Sequence, residues 1–140
     1  YHFYLRTTLT LTVGDKLVII DWSSKKVHVY RQNDGMLTSS SDNLESWPQC
    51  VCCVNDTGLC VVSDSGLISR GTTFDLRPSF DYCHGVAAFR DKVVVSGMKD
   101  NMICWCIVSI QDGRHDNLHK ICGGGRSWMT IKENMVYISY

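Results

Sequence analysis

Cysteine and histidine have the widest chemistry available in this chain, with eight Cys and five His among 140 residues. Thiolate sulfur and imidazole nitrogen are zinc ligands, and the one ligand-like spacing is His115-x3-His119-x2-Cys122, with Cys104-x-Cys106 upstream. A zinc site needs a second pair spaced to reach the same ion, and a C-x-C step is too close to serve as one. Cys104 and Cys106 instead have apolar flanks, as do Cys50, Cys52 and Cys53. Strand alternation would put Cys50 and Cys52 on one face, and Cys104 and Cys106 on one face. These residues therefore read as small core hydrophobes in a reducing compartment. An even count would suit disulfides in a secreted chain, but the density is below that of disulfide scaffolds. No metal ligand is assigned.

Nucleophilic catalysis finds no motif. There is no G-x-S-x-G elbow, no H-E-x-x-H and no phosphate loop. The run Gly123-Gly124-Gly125-Arg126-Ser127 lacks the Lys-[Ser/Thr] ending and reads as a flexible link. His84 with Asp81 has the residue types of a base and its orienting acid, but polar loop residues of this kind are common. No catalytic residue and no cofactor are assigned. The remaining chemistry is recognition. Trp47, Arg77, Phe80, Tyr82, His84, Arg126 and Trp128 stand where connections lead into apolar segments. Aromatics interleaved with Arg suit protein hot spots or stacking with single-stranded RNA. These seven form the expected partner-binding set, although Trp47 and Trp128 also fit as wedges between repeat units. Asn55-Asp56-Thr57 is a glycosylation sequon only in a secreted protein, and otherwise a turn.

The elements that position these side chains are strands. Fourteen Val, nine Ile and nine Thr stand against two Ala and two Glu, while Gly, Ser and Asp supply turns. The formal net charge is zero, which argues against a whole-chain grip on nucleic acid or anionic lipid. The longest apolar runs are about five residues, too short for a membrane helix or a signal-peptide core. Four segments repeat the same order of turn, apolar run and small polar residue: Asp15–Asp21, Thr57–Asp64, Asp91–Gly97 and Glu133–Ser139. Each follows another strand-like run, at Leu9–Val13, Cys50–Val54, Gly85–Phe89 and Trp128–Ile131. Third strands are expected at Lys26–Tyr30, Leu67–Ser69 and Asn101–Ile110, with weaker fourth strands at Met36–Thr38 and Leu118–Ile121. Three or four antiparallel strands recurring roughly every 40 residues is the arithmetic of a β-propeller blade.

The run Trp47–Gly66, and after it Cys83–Gly97, resembles the NHL repeat. The family's Asn-x-Arg step appears only as Ser24-Lys25-Lys26-Val27 and Asp100-Asn101-Met102-Ile103. The resemblance implies an all-β, six-bladed propeller, of which about three to three and a half blades are present. The approximate units are 9–46, 47–82, 83–126 and 127–140. It also implies a face that recognises a protein or an RNA hairpin, in a tripartite-motif-like ubiquitin ligase with RING, B-box and coiled-coil parts. Similar propellers include calcium-dependent lactonases, whose inner strands carry acids. The inner strands here carry Thr10, Thr12, Cys50, Cys52, Ala87, Ala88 and Thr130, and no acid. The expectation is a cytoplasmic, non-catalytic interaction module cut from a longer chain. Its partner is a protein ahead of RNA, with no membrane or small-molecule substrate, and its open edge strands should promote self-association.

Overall fold

Alternation and turn chemistry organise the chain into fourteen strands. The computed structural model describes residues 7–13, 15–41, 44–54, 58–123, 128–132 and 135–139. The first sheet holds β1 (Thr7–Val13), β2 (Lys16–Asp21), β3 (Lys26–Arg31) and β4 (Leu37–Ser40). The second holds β5 (Pro48–Val54), β6 (Gly58–Ser63), β7 (Gly66–Ser69) and β8 (Thr72–Asp75). The third holds β9 (Tyr82–Phe89), β10 (Lys92–Lys99), β11 (Met102–Ser109) and β12 (His119–Gly123). A hairpin of β13 (Trp128–Lys132) and β14 (Met135–Ser139) follows. In every sheet the strands lie side by side in chain order and pair antiparallel. The protein is all β among the described residues, and no helix there is long and apolar enough to cross a membrane.

Both faces of β5 and β6 are buried, and their side chains divide by strand alternation. Cys50, Cys52, Val54, Cys60 and Val62 join Cys83, Val86, Val93, Val95, Cys104, Cys106 and Val108 of the third sheet in one core. Val51 and Val61 point the other way, into a second core with Val18, Ile20, Val27 and Val29 of the first sheet. The closest approaches between sheets run from β1 to β5, β5 to β9 and β9 to β13. First strand thus meets first strand. Small residues make this approach possible, because β5 carries Cys and Val where bulkier side chains would hold the sheets apart.

Every first, second and third strand expected from the sequence is present within a few residues of its expected bounds, and β4 and β12 supply the weaker fourth strands. The sequence reading omitted β8. Thr72-Thr73-Phe74-Asp75 has one apolar side chain and lies mostly exposed at a sheet edge, so it carries no alternation to read. The Gly124–Ser127 link and the Asn55–Thr57 turn lie outside the described residues.

A two-residue turn at Asp100-Asn101 joins β10 to β11, with φ of 52° and 60°. Positive φ at both positions matches the right-handed strand twist and favours Gly at the second. Asn101→Gly is expected to raise stability by about 0.5 kcal/mol, read as a higher urea midpoint. An unchanged or lower midpoint would show that Asn101 serves the turn as well as Gly.

A candidate recognition face

In a four-stranded meander the turn between the second and third strands lies at the same end as the connection to the next sheet. That end brings together the Trp22–Lys25 turn, the segments leading into β5 and β9, and the β10–β11 turn. Three of the seven expected partner-binding residues, Trp47, Tyr82 and His84, fall here in two aromatic groups.

The first group forms where the first and second sheets meet. Trp47, 38% exposed, packs against Trp22 with ring centroids 5.5 Å apart. The Lys25 ammonium lies 3.8 Å from the centroid of the Trp47 ring. An ammonium over an indole face is attracted by the ring's negative quadrupole. Trp47 therefore bridges adjacent sheets as an inter-sheet wedge, and part of its ring stays open. Asp21 shapes the turn beneath. Ser23 Oγ donates to its Oδ1 at 2.8 Å and the Ser24 N–H at 3.2 Å, while His28 Nε2 lies 3.5 Å from Oδ2. Ser24 first and then Ser23 hold the Asp21 carboxyl down from 3.8 to about 2. A depressed carboxylate stabilises the fold above its unfolded value and loses that contribution as pH falls through the folded value. Between 3.8 and about 2, the protein should lose stability that Asp21→Asn does not lose, measured by urea midpoints across that interval. Parallel curves for the two proteins would contradict this anchoring role.

The second group lies at the start of β9. Tyr82, 54% exposed, stacks on His84 with centroids 5.9 Å apart and planes inclined by 17°. Hydrogen bonds tie the two groups together. The Asp64 N–H donates to the Trp47 carbonyl at 3.2 Å, and the Cys83 N–H donates to the Asp64 carbonyl at 3.0 Å. Gln49 Nε2 donates to Asp64 Oδ1 at 2.6 Å. Trp22, Lys25, Gln49 and Asp64 were absent from the expected set. Trp22 could be anticipated from topology, because its turn follows the second strand β2.

Phe80 requires correction. It was expected to face a partner, but it is 1% exposed and packs in the core between the second and third sheets. The Phe80 N–H donates to the Leu76 carbonyl at 2.8 Å, so the connection doubles back and turns the ring inward. Arg77 stays outside. Its Nε and Nη2 donate to the two carboxylate oxygens of Asp75, both at 3.0 Å, so two of its five N–H donors are occupied. Arg126 lies outside the described residues. Trp128 opens β13 in register with Ser139.

The groups considered for chemistry have other partners. Asp81 accepts the Asp100 N–H at 3.0 Å and lies 3.6 Å from Lys99 Nζ, so it braces the β10–β11 turn. His119 stacks on Trp105 at 4.2 Å and lies 3.7 Å from Asp116 Oδ2. Cys104 and Cys106 face the core, and burial pushes the Cys106 thiol up to about 12. Burial likewise raises Cys50, Cys83 and Cys104. One pairing was not expected. Ser79 Oγ lies 2.7 Å from His115 Nε2, and His115 Nδ1 donates to the Asp116 carbonyl at 2.6 Å. That is the base half of a serine hydrolase. The Ser79 and Phe80 N–H groups both donate to the Leu76 carbonyl, so these two are not free to stabilise an oxyanion.

No family model matches the chain, and neither does any curated protein. Among solved structures, the crystal structure of a computationally designed protein, Ika8, matches with a TM-score of 0.67 at 16% sequence identity. The match covers 91% of this chain and 40% of that one. The likeness is one of fold. The present chain spans well under half the length of the designed protein.

Proposed function

We propose that this chain is part of a β-propeller and that its connection-bearing face recognises a protein partner without catalysing a reaction. Three four-stranded meanders whose first strands approach one another in succession support the propeller reading. A blade presents its first strand to the ring axis, and the next blade stacks on it. On the repeat resemblance of Trp47–Gly66 and Cys83–Gly97 alone, an NHL-type propeller in a tripartite-motif-like parent is the corresponding proposal for the whole protein.

The observation that carries the recognition reading is the pair of aromatic groups, Trp22–Trp47–Lys25 and Tyr82–His84, each with one exposed ring, Trp47 and Tyr82, on one hydrogen-bonded frame. Rigid aromatic side chains contribute large contact area at small ordering cost, which is why Trp and Tyr dominate hot spots. Charge favours protein over RNA. Arg77, Lys99 and Lys120 pair with Asp75, Asp81 and Asp100, which leaves these cations less available to phosphate. The test is affinity capture by the parent protein containing this chain, with and without ribonuclease. Protein partners are expected to remain after ribonuclease. Their loss would move the reading to RNA.

A further inference from the structure

The thiols in the core between the second and third sheets include one pair held directly face to face. Cys52 and Cys60 are register partners on adjacent antiparallel strands, and both belong to the same core. Directly opposed residues on such strands have Cα atoms about 4.5–5.5 Å apart, inside the range of about 4.4–6.8 Å that a disulfide spans. A bond between them therefore needs little backbone movement. Both are free thiols in this structure, as are Cys50, Cys53, Cys83, Cys104 and Cys106.

Cys60 also has a route to small reagents. Its sulfur lies 3.6 Å from Ser69 Oγ. Ser69 and Arg70 line a cleft of about 360 Å³ together with Thr72, Phe74, Asp91 and Gln111. Cys60 is fully buried, yet one hydroxyl separates it from this opening. A reagent of the size of water needs only a local fluctuation at the Ser69–Arg70 turn to reach the sulfur, whereas a bulky disulfide reagent needs the sheet to open. The surroundings favour charge on Cys60 over Cys52. Hydrogen bonding from Cys52, then Ser69 and the nearby Arg70 guanidinium, act to lower Cys60, while its bond to Cys60 and burial raise Cys52.

We propose that Cys52 and Cys60 are an oxidation site, at which hydrogen peroxide converts the two thiols into a cross-strand disulfide. The Cys60 thiolate attacks one peroxide oxygen, the O–O bond breaks, and hydroxide leaves with Cys60 as a sulfenic acid. The Cys52 sulfur then displaces the sulfenic oxygen, forming the S–S bond and releasing water with the Cys52 proton. Two thiols are oxidised to one disulfide, and one peroxide is reduced to two waters.

The test treats the whole chain with hydrogen peroxide, blocks remaining thiols by alkylation in denaturant, and maps peptides without reduction. The expected result is a Cys52–Cys60 linked peptide that appears before any other cysteine product. Ser69→Ala should slow its formation several-fold while circular dichroism stays unchanged, and Cys52→Ala should leave oxidised Cys60 with no cross-link. First oxidation at half-exposed Cys53, a different pairing, or cross-linking only in denaturant would overturn the proposal. A Ser69→Ala rate equal to wild type would overturn the part given to its hydroxyl in activating Cys60.

Discussion

Phe80→Ala is expected to remove about 3–5 kcal/mol of stability, the usual cost of truncating a fully buried Phe. Domains of this size hold roughly 5–15 kcal/mol in total, so the variant should be partly unfolded at 25 °C or melt at a much lower denaturant concentration. The ring is 1% exposed and belongs to the core that holds Leu76, Cys83, Val93 and Val95. Tyr82, two residues later, is 54% exposed. Its replacement by Ala should cost less than about 1 kcal/mol. Urea titration of both variants separates core from face. Equal, small losses would place Phe80 outside, as the sequence reading had it.

Gly97→Ala should be nearly as damaging, by at least about 2 kcal/mol. A Cβ at Gly97 would lie 2.2 Å from the Tyr82 carbonyl oxygen and 2.8 Å from Phe80 Cδ1. The β9–β10 register shifts between Ser96 and Gly97, so the neighbouring strand crosses close over this position. Neither neighbour can yield cheaply, since one is backbone and the other is a core ring. Gly35→Ala is the matched comparison. Gly35 has φ of 69° with nothing within 4 Å, so its replacement should cost only the conformational penalty of about 1 kcal/mol. If the two variants have the same denaturation midpoint, the close approach at Gly97 is not present in solution.

These two positions also show where the sequence was legible. Strand alternation at Leu17–Ile20, Cys50–Val54 and Val93–Val95 reports burial directly, because every second side chain must enter one core or the other. The repeated turn-and-strand order placed three sheets and a hairpin. Phe80 could not be placed this way. It sits in a connection without periodicity, and its direction depends on the turn that Leu76 closes through hydrogen bonds to Ser79 and Phe80. Edge strand β8 was silent for a related reason, since an exposed edge imposes little pattern. Trp47 and Tyr82 were legible as residue types at strand entries. Their alignment with Trp22 and His84 depends on contacts among turns and strand starts that linear spacing does not encode.

The central claim is that the Trp22–Trp47 and Tyr82–His84 groups form one recognition face, and a face-by-face binding comparison tests it most directly. The parent protein carrying Trp47→Ala with Tyr82→Ala would be compared with one carrying Met36→Ser with Leu37→Ser. The latter pair is also exposed but lies on and beside the outer strand β4. Circular dichroism should show both variants folded before partner capture in ribonuclease is quantified. The account predicts that the aromatic variant loses its protein partners at least about tenfold, as hot-spot truncation does, while the outer-strand variant binds like wild type. Undiminished capture by the aromatic variant, or loss confined to the outer-strand variant, would contradict it.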